Sequence, residues 1–242
     1  MDYQKKTSLV NKAYSLLRKI EAILIGLALL FAGSTLYDMY VIAGGGRLAE
    51  GFSGFDELIE KNPDVVAWII MDGTHIDHPV VKGTDNFEYL DKSYDGTYYQ
   101  GGSIFLDEHN AGDFSDSYII IHGHHMSQGA MFSDISNYLE KEFFSENYTG
   151  ELITPGGIYQ LTVAGSSIVD AYNGALYYSD PDTEAPLGFI DDCRLKRDVD
   201  FDEEDKLVLL STCAGDMTSS RAVVFCRARY IGEYNAEKYI RR

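Results

Sequence analysis

The chain has 242 residues, 45% of them apolar, enough to bury one substantial core, and a formal net charge of −18. With five N-terminal cations and three N-terminal acids set aside, 15 basic residues face 35 acidic ones, about −20, which excludes a nucleic-acid backbone or an anionic lipid surface as the main partner. Three cysteines, Cys193, Cys213 and Cys226, are too few for a disulfide framework, and an odd number leaves a thiol over.

At the N-terminus, Lys5, Lys6, Lys12, Arg18 and Lys19 precede an uncharged run from Ala22 to Tyr37, and Asp38 ends it. That charge bias predicts a cytoplasmic segment over 1–19, a transmembrane signal anchor over 20–42 and everything later outside the cell membrane, single-pass. The uncharged run is shorter than the roughly 20 residues of a straight span, but Arg18 and Lys19 can snorkel and Tyr37 and Tyr40 suit the interface. A cleaved signal peptide, with Ala32-Gly33-Ser34 as the small-residue site, is the alternative.

A linker and an N-terminal helix are expected over 43–64, the helix from 47 to 62 with Phe52, Phe55, Leu58 and Ile59 at helical spacing before Asn62-Pro63. One folded domain follows over 65–242. Val65–Met71 and His75–Val81 flank Asp72-Gly73 and predict a hairpin. Further strands are predicted over Gly102–Leu106, Tyr118–His124, Glu151–Thr154, Ile158–Val169, Lys206–Thr212 and Ala222–Ile231. Helices are expected over Ala130–Phe144, with Met131, Ile135, Tyr138 and Leu139 on one face, and over Thr183–Lys196, where Pro186 suits the first turn. About eight short strands with few helices define a mainly β class, a closed barrel or a sandwich.

Cys213 ends the apolar strand Leu207-Val208-Leu209-Leu210-Ser211-Thr212, and Arg221 opens the next one. If those strands pair across the loop 214–220, the thiol meets a fixed cation, which favours the thiolate and can stabilise an oxyanion. Proton transfer needs a third group, and Ile119-Ile120-Ile121-His122-Gly123-His124-His125 brings a strand to a cluster of imidazoles. A lone cysteine on an apolar strand is by itself more often a buried hydrophobe. No metal site is expected, because His122 and His124 share a face without a zinc-type pair, and Asp107-Glu108 reads as a solvated turn rather than a calcium site.

Taken together, Leu210-Ser211-Thr212-Cys213 with Arg221-Ala222-Val223-Val224, Gly123-His124-His125-Met126 with Met131-Phe132, Pro79-Val80-Val81, and Asp85-Asn86 through Tyr89-Leu90 resemble the class B sortases over about 47–231. The resemblance implies an eight-stranded sortase-type β-barrel with an N-terminal helix and a helix inserted in the loop before the cysteine strand. It also implies Cys213 as nucleophile, His124 as proton-transfer residue and Arg221 as the oxyanion-stabilising group. Asn86, Leu90, Ser211 and Thr212 would line the peptide groove, with Tyr177 touching substrate from the insertion. The position commonly tyrosine in the class is His122 here, a further groove residue, and Cys226 adds a thiol in the last strand.

The implied enzyme is a cysteine transpeptidase without cofactor. It would cleave surface proteins at a C-terminal sorting signal and pass the acyl group to an amine of a cell-wall precursor or pilin, with hydrolysis as a side activity. Two alternatives keep some of these features: a cysteine protease with water as acceptor, and a silent, surface-anchored barrel that binds peptide with Cys213 buried.

Overall fold

The structure is a computed structural model and describes residues 15–33, 54–126, 130–177, 187–213 and 219–236. The chain divides into two compact units, residues 1–46 and 47–242. In the first, the described residues 15–33 are helical (α1), with exposed Leu and Ile side chains along their length. Among the described residues no helix is long and apolar enough to cross a membrane; the rest of the segment expected to span, 34–42, lies outside them.

The second unit is built on a barrel. In chain order the strands are β1 (Val65–Met71), β2 (Asp77–Val81), β3 (Ile104–Leu106), β4 (Tyr118–His122), β5 (Thr149–Thr154), β6 (Gly157–Asp170), β7 (Leu195–Lys196), β8 (Lys206–Cys213) and β9 (Ser220–Gly232). Neighbours run β5-β1-β2-β3-β4-β8-β9-β6, and β6 pairs back onto β5, so eight strands close a ring while β7 adds to the side of β6. Closure leaves those eight strands no free edge along the ring. Two junctions, β2–β3 and β4–β8, are parallel and the others antiparallel.

Strand faces explain the sequence pattern. Ile119, Ile121, Val208, Leu210, Ala222, Val224 and Cys226 fill the barrel interior, whereas Tyr118, Ile120, Leu207, Leu209, Val223 and Phe225 form an outer cluster under Leu176 and Tyr177. A strand buried on both faces reads as a continuous apolar run rather than an alternating one, which is how β1 and β8 appear in the sequence. On another flank, helix α2 (Phe55–Lys61) lays Phe55 and Leu58 on Trp68, Ile70 and Ile153. The predicted start of that helix, 47–53, lies outside the described residues.

All eight predicted strands are present, and both longer helices need correction. Over 130–144 the chain makes a 3₁₀ helix, Ser133–Leu139, then α3, Lys141–Glu146, because Glu140 between them is extended (φ −93°, ψ 131°). The predicted apolar face survives the break, with Ile135 and Tyr138 in the barrel core. Over 183–196 the helix shrinks to α5, Gly188–Asp191, because Leu195 and Lys196 pair with Ser166 and Gly165 of β6 as β7; residues 183–186 lie outside the described set. A second short helix, α4 (Gly174–Tyr177), caps the outer cluster near the end of β6. The Asp72-Gly73 turn is also longer than a two-residue hairpin: Met71 N–H bonds Ile76 O at 3.0 Å, and Gly73 adopts φ 74°.

One buried group makes stability depend on pH. His78, opposite Ile69 in β2, is 3% exposed, and its Nε2 has no hydrogen-bond partner among the described residues. Burial pushes its pKa down from 6.5 to about 4, against an opposing pull from Asp77. The unfolded chain takes up this proton near pH 6.5 while the folded chain refuses it until about pH 4. Titration of His78 therefore takes nothing from stability above pH 6.5, and stability falls between there and pH 4 by at most about 3 kcal/mol. Urea unfolding at pH 7.5 and pH 4 should show this loss in the wild type and a smaller one in His78→Leu; equal losses would contradict it.

Candidate active site

Three strand ends converge where the site forms. In the β8–β9 ladder Cys213 directly faces Arg221, as the two strands pair across the loop between them. On the other side of β8, His122 of parallel β4 faces Ser211, and Gly123 N–H bonds Ser211 O at 3.1 Å. His124 follows two residues beyond His122, on the β4 side of β8, as Arg221 lies on its β9 side. Cys213 thus lies between a histidine-bearing and an arginine-bearing chain.

Gly123 is needed at this junction. A Cβ there would come within 2.7 Å of the ring of fully buried Phe132, so only glycine lets the strand end sit against the 3₁₀ segment. Phe132 N–H bonds His124 O at 3.0 Å and holds the turn from the other side. The imidazole of His124 is fixed in turn: its Nε2 lies 2.7 Å from Leu90 O. A carbonyl only accepts, so Nε2 carries a proton and, in the neutral ring, Nδ1 holds the lone pair.

A cleft of about 380 Å³ opens over these strand ends. His122, Gly123 and His124 line it from β4, Ser211 and Thr212 from β8, and Arg221 from β9. Asn86, Phe87 and Leu90 contribute from the β2–β3 loop, and Tyr177 from α4. Every groove residue expected from the sequence, Asn86, Leu90, His122, Tyr177, Ser211 and Thr212, is in this lining, as are His124 and Arg221.

Hydrogen bonds make the walls rigid. Tyr177 OH and Ser211 Oγ are 2.9 Å apart in buried surroundings, and the Tyr177 ring stacks on His122 at 6.0 Å. The β2–β3 loop is tied to the start of β1, where Asn62 Nδ2 donates to Tyr89 OH and Tyr94 O at 2.7 Å each, and Tyr89 OH donates to Asp64 Oδ2 at 2.7 Å. Those bonds hold the Leu90 carbonyl where His124 meets it.

Asp107 departs from the expected solvated turn. Its side chain is 3% exposed and lies against the cleft, accepting from His122 Nε2 and Asn86 Nδ2, both at 2.9 Å. The available sequence signal was a carboxylate ending the apolar triplet Ile104-Phe105-Leu106. The two other thiols stand apart: Cys226 is buried inside the barrel, and Cys193 is half-buried beside α5, with burial pushing its thiol up to about 11.

No protein-family model matches the chain. Sortase B of Staphylococcus aureus is 30% identical over 182 residues, spanning 72% of this chain and 73% of that protein. Among solved structures, a Streptococcus pyogenes class B sortase involved in pilus biogenesis is 32% identical, with a TM-score of 0.65 over 72% of this chain and 97% of its own. S. aureus sortase B gives a TM-score of 0.65 at 27% identity, over 82% of this chain and 97% of that one. The closed barrel and these likenesses define a cysteine transpeptidase of the sortase kind. Within that kind, the chain belongs to the class B sortases.

Proposed function

We propose that Cys213 is the nucleophile, His124 the proton-transfer residue and Arg221 the oxyanion-stabilising group of this transpeptidase. The observation that carries the reading is the strand register, with Cys213 facing Arg221 and flanked by the chain that bears His124. The thiolate attacks a peptide carbonyl carbon in a C-terminal sorting signal held in the cleft. Arg221 stabilises the tetrahedral oxyanion, the C–N bond breaks, and the departing amine takes a proton from His124. An acceptor amine of a cell-wall precursor or pilin then attacks the thioester, gives its proton to His124 and releases the thiolate.

Water reaching the same thioester gives hydrolysis as a side reaction. Sorting-signal binding draws support from a solved S. aureus sortase B–substrate complex, which this chain resembles at 26% identity and a TM-score of 0.65. The basic N-terminus followed by an apolar run supports a single-pass tether with the barrel outside the cell membrane. Tethering would raise the effective concentration of enzyme near emerging substrates. Mass spectrometry of products with and without an added amine separates transfer from proteolysis: the amine adduct should dominate, and hydrolysis alone would mean a protease.

The role of His124 makes Gly102 a sensitive position. Gly102 has φ 59°, and a Cβ there would lie 2.6 Å from the backbone oxygens of Tyr89 and Leu90, the second of which holds His124. Gly102→Ala should destabilise by roughly 1–3 kcal/mol through backbone strain. It should also lower kcat/KM tenfold to a hundredfold while still folded, because small misplacements of catalytic groups are costly. Kinetics at a temperature where circular dichroism shows a native fold would check this, and wild-type turnover would contradict it.

A further inference from the structure

The buried carboxylate of Asp107 takes no part in the acyl-transfer steps, yet it organises one wall of the cleft. Its Oδ2 accepts from His122 Nε2 and Asn86 Nδ2, residues 15 and 21 positions away in the chain. Its Oδ1 accepts from the backbone N–H and Nδ1 of His109, at 3.0 and 2.8 Å. Burial alone would raise the pKa of this group, but the hydrogen bonds and charge of His122, with the bonds from His109, outweigh it and hold it below the usual carboxylate range. An ionised carboxylate only accepts hydrogen bonds, and that fixes the orientation of both partners.

His122 must carry a proton on Nε2, so in its neutral form Nδ1 holds the lone pair. Among the described residues that nitrogen makes no other hydrogen bond. The ring cannot turn easily, lying 5.2 Å from Phe105 and stacked at 6.0 Å on Tyr177. The amide of Asn86 is equally committed, since Nδ2 donates to Asp107 and Oδ1 accepts from the Glu108 N–H at 2.8 Å. Among the described residues the second N–H of Asn86 has no partner.

We infer that Asp107 is a positioning residue, which presents the spare Asn86 N–H as donor and His122 Nδ1 as acceptor, a matched pair for a peptide group of the bound substrate. This rests on reading the cleft as the signal groove.

Two measurements test it on the full chain. Without ligand, long-range ¹H–¹⁵N spectra at a pH where His122 is neutral should show its Nε2–H tautomer; a predominant Nδ1–H tautomer would overturn the inference whether or not any variant folds. With the signal peptide that the wild type acylates fastest, Asp107→Asn should raise KM about tenfold with kcat little changed. In a His122→Phe, Asn86→Ala background the same substitution should add less than twofold. An unchanged KM, or a full tenfold effect in that background, would overturn it. Failure of acyl transfer itself would show as no acylation by the wild type, leaving the tautomer measurement to stand alone.

Discussion

Cys213→Ala should abolish signal-peptide cleavage and transfer, with kcat falling by about 10⁶, the scale of losing a catalytic nucleophile. No other thiol can substitute. Cys226 is fully buried in the barrel core, and desolvation raises its pKa, so it is neither ionised nor reachable by a peptide. Cys193 is half-buried, bonds Phe189 O at 3.4 Å and has its thiol pushed up to about 11, which leaves almost no thiolate near neutral pH. Double substitution of Cys193 and Cys226 by serine or alanine should accordingly spare the reaction that Cys213→Ala removes. Peptide cleavage assays on variants with native circular dichroism check both halves.

Arg221→Ala should lower kcat by about 10²–10³, the scale of a lost oxyanion donor, with a smaller change in KM. Arg221 is the arginine that lines the cleft among the described residues. The cations further along β9 are engaged elsewhere: Arg227 donates to Asp200 O at 2.7 Å, and Arg229 forms a pair with Asp205 and Asp202 at 2.6 Å. Arg229→Ala is thus the matched control, removing a cation from the same strand without touching the cleft. Arg221→Lys should recover only part of the loss, since an ammonium keeps the charge but not the planar fork of donors. Steady-state kinetics with one peptide and a saturating amine separates the outcomes; equal effects of Arg221→Ala and Arg229→Ala would remove Arg221 from the mechanism.

Much of this architecture was legible because local pattern and tertiary role agree. The run Val65–Met71 and the run ending at Cys213 are apolar throughout because helices α2 and α4 cover the outer faces while the barrel fills the inner ones. Cys213 and Arg221 could be brought together from sequence alone, since two strands joined by a short loop have little choice but to pair. That the chain bearing His124 flanks the Cys213 strand is less legible. It depends on β4 and β8 running parallel, and nothing local to either strand specifies that crossover.

The misses have the same origin. The helix expected over Ala130–Phe144 kept its apolar face but broke at Glu140, and the one expected over Thr183–Lys196 lost its end to β7, a pairing decided by β6 thirty residues away. Asp107 reads as a turn residue in the sequence because an acid beside another acid follows three apolar residues. Its carboxylate is instead buried and bonded by His122 and Asn86, both remote in the chain. Local patterning recovers elements, whereas a buried polar network is a property of the closed barrel and emerges only with the fold.

Passage of the acyl group through a thioester on Cys213 can be read out by denaturing mass spectrometry of the full chain. The enzyme would be mixed with a library of candidate sorting-signal peptides and no amine acceptor. An acyl adduct is expected on the tryptic peptide 207–221, whose only thiol is Cys213, released by hydroxylamine and absent from Cys213→Ala. Peptide cleavage without that adduct, or an adduct that persists in Cys213→Ala, would contradict it.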